Sequence, residues 1–296
     1  MAKARLGQAE IEAAGLEAQL LAAHVLLVDR PWLIAHGDEP FPELAGEAIL
    51  AARLSGKPLA YILGWREFYG RRFSVRPGVL IPRQETEVLV ETALSLLDST
   101  ATVLDLGTGS GCIAISLKLE RTEWEVVASD ISPEALEVAR ENARELGANV
   151  EFVESDLFSN LNGEFDAIVT NPPYIGFDEP LKGEVALFEP AAALYSGPTG
   201  MEFYERLSRD AWGVLRHGGV LMMEVGYRQA EPVKGVFATL GWAVQEPVLD
   251  LSGVARVMVC TKSRDDSLAI FLDPSRVETL NQRYTIHNRG NANRRS

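Results

Sequence analysis

Asn171-Pro172-Pro173-Tyr174 combines an amide side chain, two rigid rings and an aromatic, directly after the apolar run Ala167-Ile168-Val169-Thr170. A short uncharged run of this kind reads as a buried parallel strand. Proline restricts the residue before it, so Asn171 and Pro172 are both held extended. The space outside a strand's carboxyl end is where open α/β sheets bind ligands. Together these features suit a device that grips a planar amide or amine. The alternative is a Pro-Pro turn that merely ends the strand, and the tetrapeptide alone leaves both open.

A second motif lies upstream. Val103-Leu104-Asp105-Leu106 runs into Gly107-Thr108-Gly109-Ser110-Gly111, after which Cys112-Ile113-Ala114-Ile115 opens a helix. Glycines give the backbone positive φ and let a ligand approach closely. Dinucleotide-binding turns use Gly-x-Gly-x-x-Gly/Ala, and here Cys112 stands at the third small position while the third glycine is Gly111. The spacing leans away from a pyrophosphate cradle. Asp130 ends the strand-like run Glu125-Val126-Val127-Ala128-Ser129 and can accept hydrogen bonds from ribose hydroxyls. It could instead be a helix N-cap. Ser132, with Pro133 behind it, is the better cap, which leaves Asp130 free. A third strand, Val150 to Glu154, leads to Asp156, Leu157 and Phe158. These could edge and cover an adenine, or be a loop aspartate beside core residues.

Strand-loop-helix units in series position these groups, and that alternation indicates an α/β, doubly wound sheet. The domain runs from 83 to 262. Near its end Gly218-Gly219 leads into the apolar run Val220 to Val225, and Val244–Val248 with Val254–Thr261 reads as a closing hairpin. Residues 1–65 read as helical, with apolar stripes such as Leu16, Leu20 and Leu27, then Leu44, Ile49 and Leu54. Breakers at Asp29-Arg30-Pro31, Gly37–Pro40 and Ser55–Pro58 separate the helices. Residues 66–82 read as a β-hairpin linker, with Pro77-Gly78 at a turn. Residues 263–296 read as a mobile tail, whose stretch from Arg283 carries four arginines and no acid.

At 296 residues and 47% hydrophobic the chain can bury a large core in one or two domains. A net charge of −14 argues against direct binding of nucleic acid, since duplex affinity comes largely from neutralising phosphates. Cys112 and Cys260 have no metal-ligand spacing, the four histidines are scattered, and no metal site is expected. His24 shares a helix stripe with Leu20 and Leu27, which suits packing better than ligation. The run Leu20–Val28 is too short to cross a membrane, and the start is not a signal peptide. These features fit a cytoplasmic protein.

The order of glycine turn, ribose carboxylate, adenine edge and Asn-Pro-Pro-Tyr resembles the class I S-adenosylmethionine-dependent methyltransferases that methylate amino or amide nitrogens. The junction is more specific. Pro58–Gly64, Glu67-Phe68-Tyr69-Gly70, Leu80–Glu87, Phe188-Glu189-Pro190 and Asp250–Val257 resemble the peptide chain release factor glutamine methyltransferases, the HemK family. The likeness covers roughly residues 5–262. It departs at Gln84, where the family has proline, and at Leu157, where an aromatic is common.

The resemblance implies a Rossmann-like class I methyltransferase sheet behind a small N-terminal helical domain that recognises substrate. It implies S-adenosyl-L-methionine as cofactor, held by Gly107, Thr108, Gly109, Ser110, Gly111, Asp130, Asp156, Leu157 and Asn171. The implied substrate is the glutamine of the Gly-Gly-Gln motif of class 1 release factors. Asn171, Pro172, Pro173 and Tyr174 would bind it, with Asn171 and Pro172 accepting its N–H groups and Tyr174 stacking on the amide. A ribosomal-protein glutamine or a nucleic-acid adenine are the alternative acceptors.

Overall fold

Leu6, Leu21 and Leu50 are buried together and gather the first helices into a small core of their own. The computed structural model describes residues 1–38, 40–181, 183–262 and 275–282. Its helical start comprises α1 (Ala2–Gln8), α2 (Ala14–Leu26), α3 (Arg30–Ala35), α4 (Glu43–Leu54) and α5 (Leu59–Leu63). The expected breakers are real boundaries. Asp29 caps α3 by accepting from Trp32 N at 2.7 Å, with Pro31 in the first turn. Of the two expected stripes, Ile49 and Leu54 do pack on this core, but other members do not. Leu16, Leu27 and Leu44 are exposed, because α2 turns Leu21 and Ala23 inward and Leu27 lies past its end in the left-handed region, φ 56°.

A two-stranded hairpin follows, β1 (Trp65–Phe68) and β2 (Arg71–Ser74), turning at Tyr69-Gly70. Phe68 and Phe73 are fully buried and meet edge to face, with ring centroids 6.0 Å apart. They join the core beneath α6 (Glu87–Leu96).

The alternating units then appear as β3 (Thr102–Leu106), α7 (Cys112–Glu120), β4 (Glu125–Asp130), α8 (Pro133–Leu146), β5 (Glu151–Glu154) and β6 (Phe165–Thr170). After β6 come β7 (Ile175–Gly176), α9 (Gly183–Phe188), α10 (Ala191–Leu194), β8 (Tyr195–Gly197) and α11 (Glu202–Asp210). The chain continues through β9 (Leu215–Glu224), α12 (Ala230–Thr239), β10 (Ala243–Val244), β11 (Val248–Leu249) and β12 (Ala255–Thr261). A last helix, α13, covers 275–282.

The main sheet runs β10-β12-β9-β6-β3-β4-β5, with β11 also on β12. Strands β5, β4, β3, β6 and β9 are parallel, and β12 is antiparallel to β9. The chain builds outward from β3 through β4 and β5, then returns to lay β6 on the other side of β3. Strand order therefore reverses between β3 and β6, which opens a crevice at their carboxyl ends. Side chains alternate between two apolar layers. Val103, Val169 and Met222 face α6 and α7, whereas Leu104, Ile168 and Leu221 face α11 and α12.

Two expectations at the end of the chain change. The Val244–Val248 strand is split into β10 and β11, each paired with β12, and Pro247 in the gap has no N–H for a ladder. The mobile tail expected from 263 does not describe α13. Its Val277 and Leu280 are buried in the main core, and Arg276 donates to the Leu96 carbonyl at 3.2 Å. Asn281 accepts from Leu249 N at 3.0 Å. The stretch from Arg283 onward lies outside the described residues.

Asn142 on α8 ties three elements together. Fully buried, it accepts from Ser74 N at 2.7 Å and donates to the carbonyls of Ser74 at 3.1 Å and Ser110 at 2.8 Å. Asn142→Ala removes the partner of one N–H and of two carbonyls. The expected loss is about 2–3 kcal/mol in denaturant unfolding; a change under about 0.5 kcal/mol would show that these bonds do not hold the hairpin to the glycine turn.

Candidate functional site

The glycine turn leaves β3 and bends three times through positive φ, at Gly107 (73°), Gly109 (56°) and Gly111 (81°). The three glycines serve different ends. A Cβ on Gly107 or Gly109 would meet nothing within 4 Å, because both border open cavity. A Cβ on Gly111 would lie 2.8 Å from Ile115 Cδ1 and 3.1 Å from Ala139 Cβ, so this glycine lets α7 and α8 pack closely. Beneath the turn, Asp105 Oδ2 accepts from Thr108 Oγ1 at 2.6 Å and from Ala114 N at 3.0 Å. Burial pushes Asp105 up to about 7 against those two bonds, with the charge of Asp130 adding to the rise. Its Oδ1 has no partner.

Asp130 stands at the end of β4, where the sequence placed it, but it is not free. Its Oδ2 accepts from Gly109 N at 2.8 Å and its Oδ1 from Ser132 N at 2.9 Å. Ser132 is indeed the α8 cap, accepting from Ala135 N at 3.1 Å. Burial raises the Asp130 pKa while the backbone donors oppose the rise. Each carboxylate oxygen keeps one accepting direction, which suits a pair of ribose hydroxyls beside the turn.

Asp156 and Leu157 line the same cavity from the end of β5. Asp156 Oδ1 is ion-paired with Arg206 Nη2 at 2.9 Å on an exposed rim. Leu157 is buried at φ 49° in the layer under α11. Ser155 explains that turn, since its hydroxyl donates to the Leu157 carbonyl at 2.9 Å and accepts from Asn160 N at 3.1 Å.

Asn171, Pro172 and Pro173 close the cavity across from the glycines. The cavity measures about 210 Å³. Asn171 Nδ2 donates to Thr86 Oγ1 at 3.1 Å, which leaves its Oδ1 as the acceptor offered to a ligand. Tyr174 is not among the cavity-lining residues. Its Cδ2 would sit 2.8 Å from a Cβ on Gly226, and its carbonyl accepts from Gln229 Nε2 at 2.8 Å. It braces the tetrapeptide from behind. One edge of its ring thus packs on Gly226, and the side chain as a whole is half-buried.

Sequence reasoning missed Thr86, Asp105, Asn142 and Gln229 as supports. Thr86 and Asp105 stood inside quoted motifs, and for Asp105 a carboxylate within an apolar strand was the available signal. The junction motifs prove to be braces. Glu189 accepts from Ile81 N at 3.1 Å and from Arg83 Nη2 at 2.5 Å, and the Tyr61 hydroxyl donates to the Val79 carbonyl at 2.6 Å. Phe188 packs on Ala60, Tyr61, Val75 and Ile81. Asp250 accepts from Ser252 N, Val254 N and Arg256 Nε, shaping the turn into β12. Gln84 is exposed, so that departure touches no contact of the site. Cys112 lines the cavity, but burial pushes its thiol up to about 12, away from any nucleophilic role. Among the described residues no cluster fit to hold a metal occurs, and no helix is long and apolar enough to cross a membrane.

Open glycine backbone beside a carboxylate, facing an amide acceptor across one cavity, fits a nucleoside-bearing ligand, which Gly107, Gly109 and Asp130 could hold. Comparison with known proteins agrees. Residues 83–191 match the methyltransferase small domain family, and residues 1–64 match the PrmC N-terminal domain. A methyltransferase from Pyrococcus furiosus has the same fold, at a TM-score of 0.53 and 20% identity over 72% of this chain and 97% of that one. The release factor glutamine methyltransferase of Neisseria gonorrhoeae is 44% identical over 82% of this chain and 91% of that protein. The one from Koribacter versatilis is 43% identical over 83% and 91%. At 43–44% identity over more than four fifths of this chain and nine tenths of theirs, the chain belongs to the release factor glutamine methyltransferase family.

Proposed function

We propose that this protein methylates the side-chain amide nitrogen of the glutamine in the Gly-Gly-Gln motif of class 1 peptide chain release factors, using S-adenosyl-L-methionine. The observation that carries the reading is the Asn171 amide, fixed by Thr86 so that Oδ1 and the Pro172 carbonyl are the acceptors of the loop. When bound, S-adenosylmethionine supplies an electrophilic methyl group on a sulfonium. Asp130 and the backbone at Gly107 and Gly109 hold its nucleoside end, with Asp156 and Leu157 along the base.

A glutamine amide is a poor nucleophile because its nitrogen lone pair is shared with the carbonyl. Asn171 Oδ1 and the Pro172 carbonyl each accept one N–H and orient the nitrogen toward the cofactor. Both bonds strengthen as positive charge grows on that nitrogen, so they favour the transition state over the bound amide. The product nitrogen is acidic and loses its proton to water. Tyr174, Gln229 and Thr86 keep the two acceptors in place, which lowers the cost of alignment.

The helical domain supports recognition of a protein rather than a free amide. Arg53 on α4 bonds Glu184 on α9 at 3.0 Å, joining that domain to the loop that follows the acceptors. The net charge of −14 disfavours a nucleic acid acceptor. Cytoplasm is the compartment this reading implies, and the free thiols of Cys112 and Cys260 need no oxidising surroundings.

Incubation with S-adenosylmethionine and a purified release factor, followed by peptide mass mapping, is expected to give one added methyl on the Gly-Gly-Gln peptide. A methyl found on a ribosomal protein instead would overturn the substrate. Asn171→Ala is expected to keep cofactor affinity within about threefold and to lower kcat about 10²–10³-fold. Unchanged turnover would remove Asn171 from the reaction. Asp130→Ala is expected to weaken S-adenosylmethionine binding by about 10–100-fold in calorimetry, the worth of charge-assisted hydrogen bonds; retained affinity would refute the ribose role.

A further inference from the structure

Charge is uneven around the cavity. Of the described residues that line it, Asp130 and Asp156 are the acids and Arg83 is the one cation. The two acids stand at the carboxyl ends of β4 and β5, on the nucleoside side. Arg83 comes from elsewhere. It immediately precedes the 3-10 turn Gln84–Thr86 that leads into α6, and Thr86 accepts from Asn171 Nδ2 at 3.1 Å. Arg83 is thus carried by the element that touches the acceptor loop.

Only one of its five N–H groups is committed. Arg83 Nη2 donates to Glu189 Oε1 at 2.5 Å, and among the described residues no other hydrogen bond engages the guanidinium. Glu189 is the buried partner, at 2% side-chain exposure, and it also accepts from Ile81 N at 3.1 Å. The Arg83 side chain keeps 34% of its surface. A residue that served only to neutralise Glu189 would have no need to line the cavity.

We propose that Arg83 binds the α-carboxylate of S-adenosylmethionine, with Glu189 holding the guanidinium in place from behind. The inference rests on the cofactor reading given above. The methyl group has to meet the glutamine at Asn171, so the sulfonium belongs there, between the nucleoside on the Asp130 side and the amino acid portion of the cofactor. That portion carries a carboxylate. Leu80, Pro82 and Pro190 line the cavity around Arg83 and offer such an anion nothing, so a cation has to offset its loss of water. A guanidinium fork can serve Glu189 and a second carboxylate at once, and it matches the second with two parallel N–H groups. Glu189 also lowers the cost of ordering a long side chain before the ligand arrives.

The test is calorimetric binding to the full chain, without a release factor, of S-adenosylmethionine and of decarboxylated S-adenosylmethionine, which differs only in lacking the carboxylate. The wild type is expected to prefer the first ligand by about 10–100-fold, the worth of a charge-assisted pair. Arg83→Gln is expected to weaken S-adenosylmethionine by about the same factor and to leave the decarboxylated ligand within about threefold. Arg83→Lys keeps part of the preference, as a point charge without the fork. Because Arg83→Gln leaves the buried Glu189 without its cation, the double variant Arg83→Gln/Glu189→Gln removes that orphan charge and is expected to lack the preference still. Equal weakening of both ligands in Arg83→Gln would show a brace and nothing more, and would overturn the proposal. So would a preference that returns in the double variant, or a wild type that binds both ligands equally. A wild type that binds neither ligand removes the cofactor reading itself, and the proposal with it.

Discussion

The Thr170 hydroxyl donates to the Leu106 carbonyl at 2.7 Å, and the two halves of the site depend on that bond. The backbone pairing of β3 with β6 reaches only to Asp105 and Val169. Beyond that register the strands part, one into the glycine turn and the other into Asn171-Pro172. Fully buried Thr170 carries the pairing one step further with its side chain. The donor-holding turn and the acceptor-holding loop therefore leave from a common line, about one strand spacing apart. An apolar residue in its place would leave the Leu106 carbonyl unpaired where the sheet ends.

Buried polar groups collect at this edge of the sheet. Asp105 Oδ1, Ser110 Oγ, Ser129 Oγ and Glu224 Oε2 are all buried without partners, and they lie beneath the cavity or just behind its loop. Such atoms cost stability, and a fold keeps few of them. The two apolar layers on either face of the strands offset that cost. Electrostatic work is thus concentrated at one rim, although Ser116 Oγ, Glu202 Oε2 and Gln245 Oε1 are buried without partners elsewhere.

The parallel sheet, the glycine turn, Asp130 and Asn171 were legible in the sequence because each rests on a local signal: an apolar run, a positive-φ requirement, or a polar residue at a strand end. Thr86, Asn142 and Gln229 were not, since each acts on a partner far along the chain, and nothing local distinguishes a bracing amide from an exposed one. Tyr174 shows the same limit in reverse. Its ring suggested a stacking platform, but the bareness of Gly226 beside the ring, and of Gly200 beside its carbonyl, shapes how the residue is held. The α2 stripe failed for a geometric reason, because Leu27 falls past the helix end and the buried face is set by Leu21. The α13 contacts were hidden because two apolar residues, Val277 and Leu280, are too few to stand out in a polar stretch.

Arg53 has a consequence for exchanging parts between relatives. Its guanidinium is nearly buried between Glu17 at 2.7 Å and Glu184 at 3.0 Å, one carboxylate from its own domain and one from the loop after the acceptors. Desolvation makes such a cluster a weak source of stability but a strict one to break. A helical domain transplanted without a counterpart of Arg53 would leave two carboxylates facing each other with no cation between them. The repulsion would fall on α9, and through Phe188 and Glu189 on the segment that carries Ile81 and Arg83. Chimeras in this family therefore inherit a cut point set by charge, in which Glu17, Arg53 and Glu184 travel together or not at all.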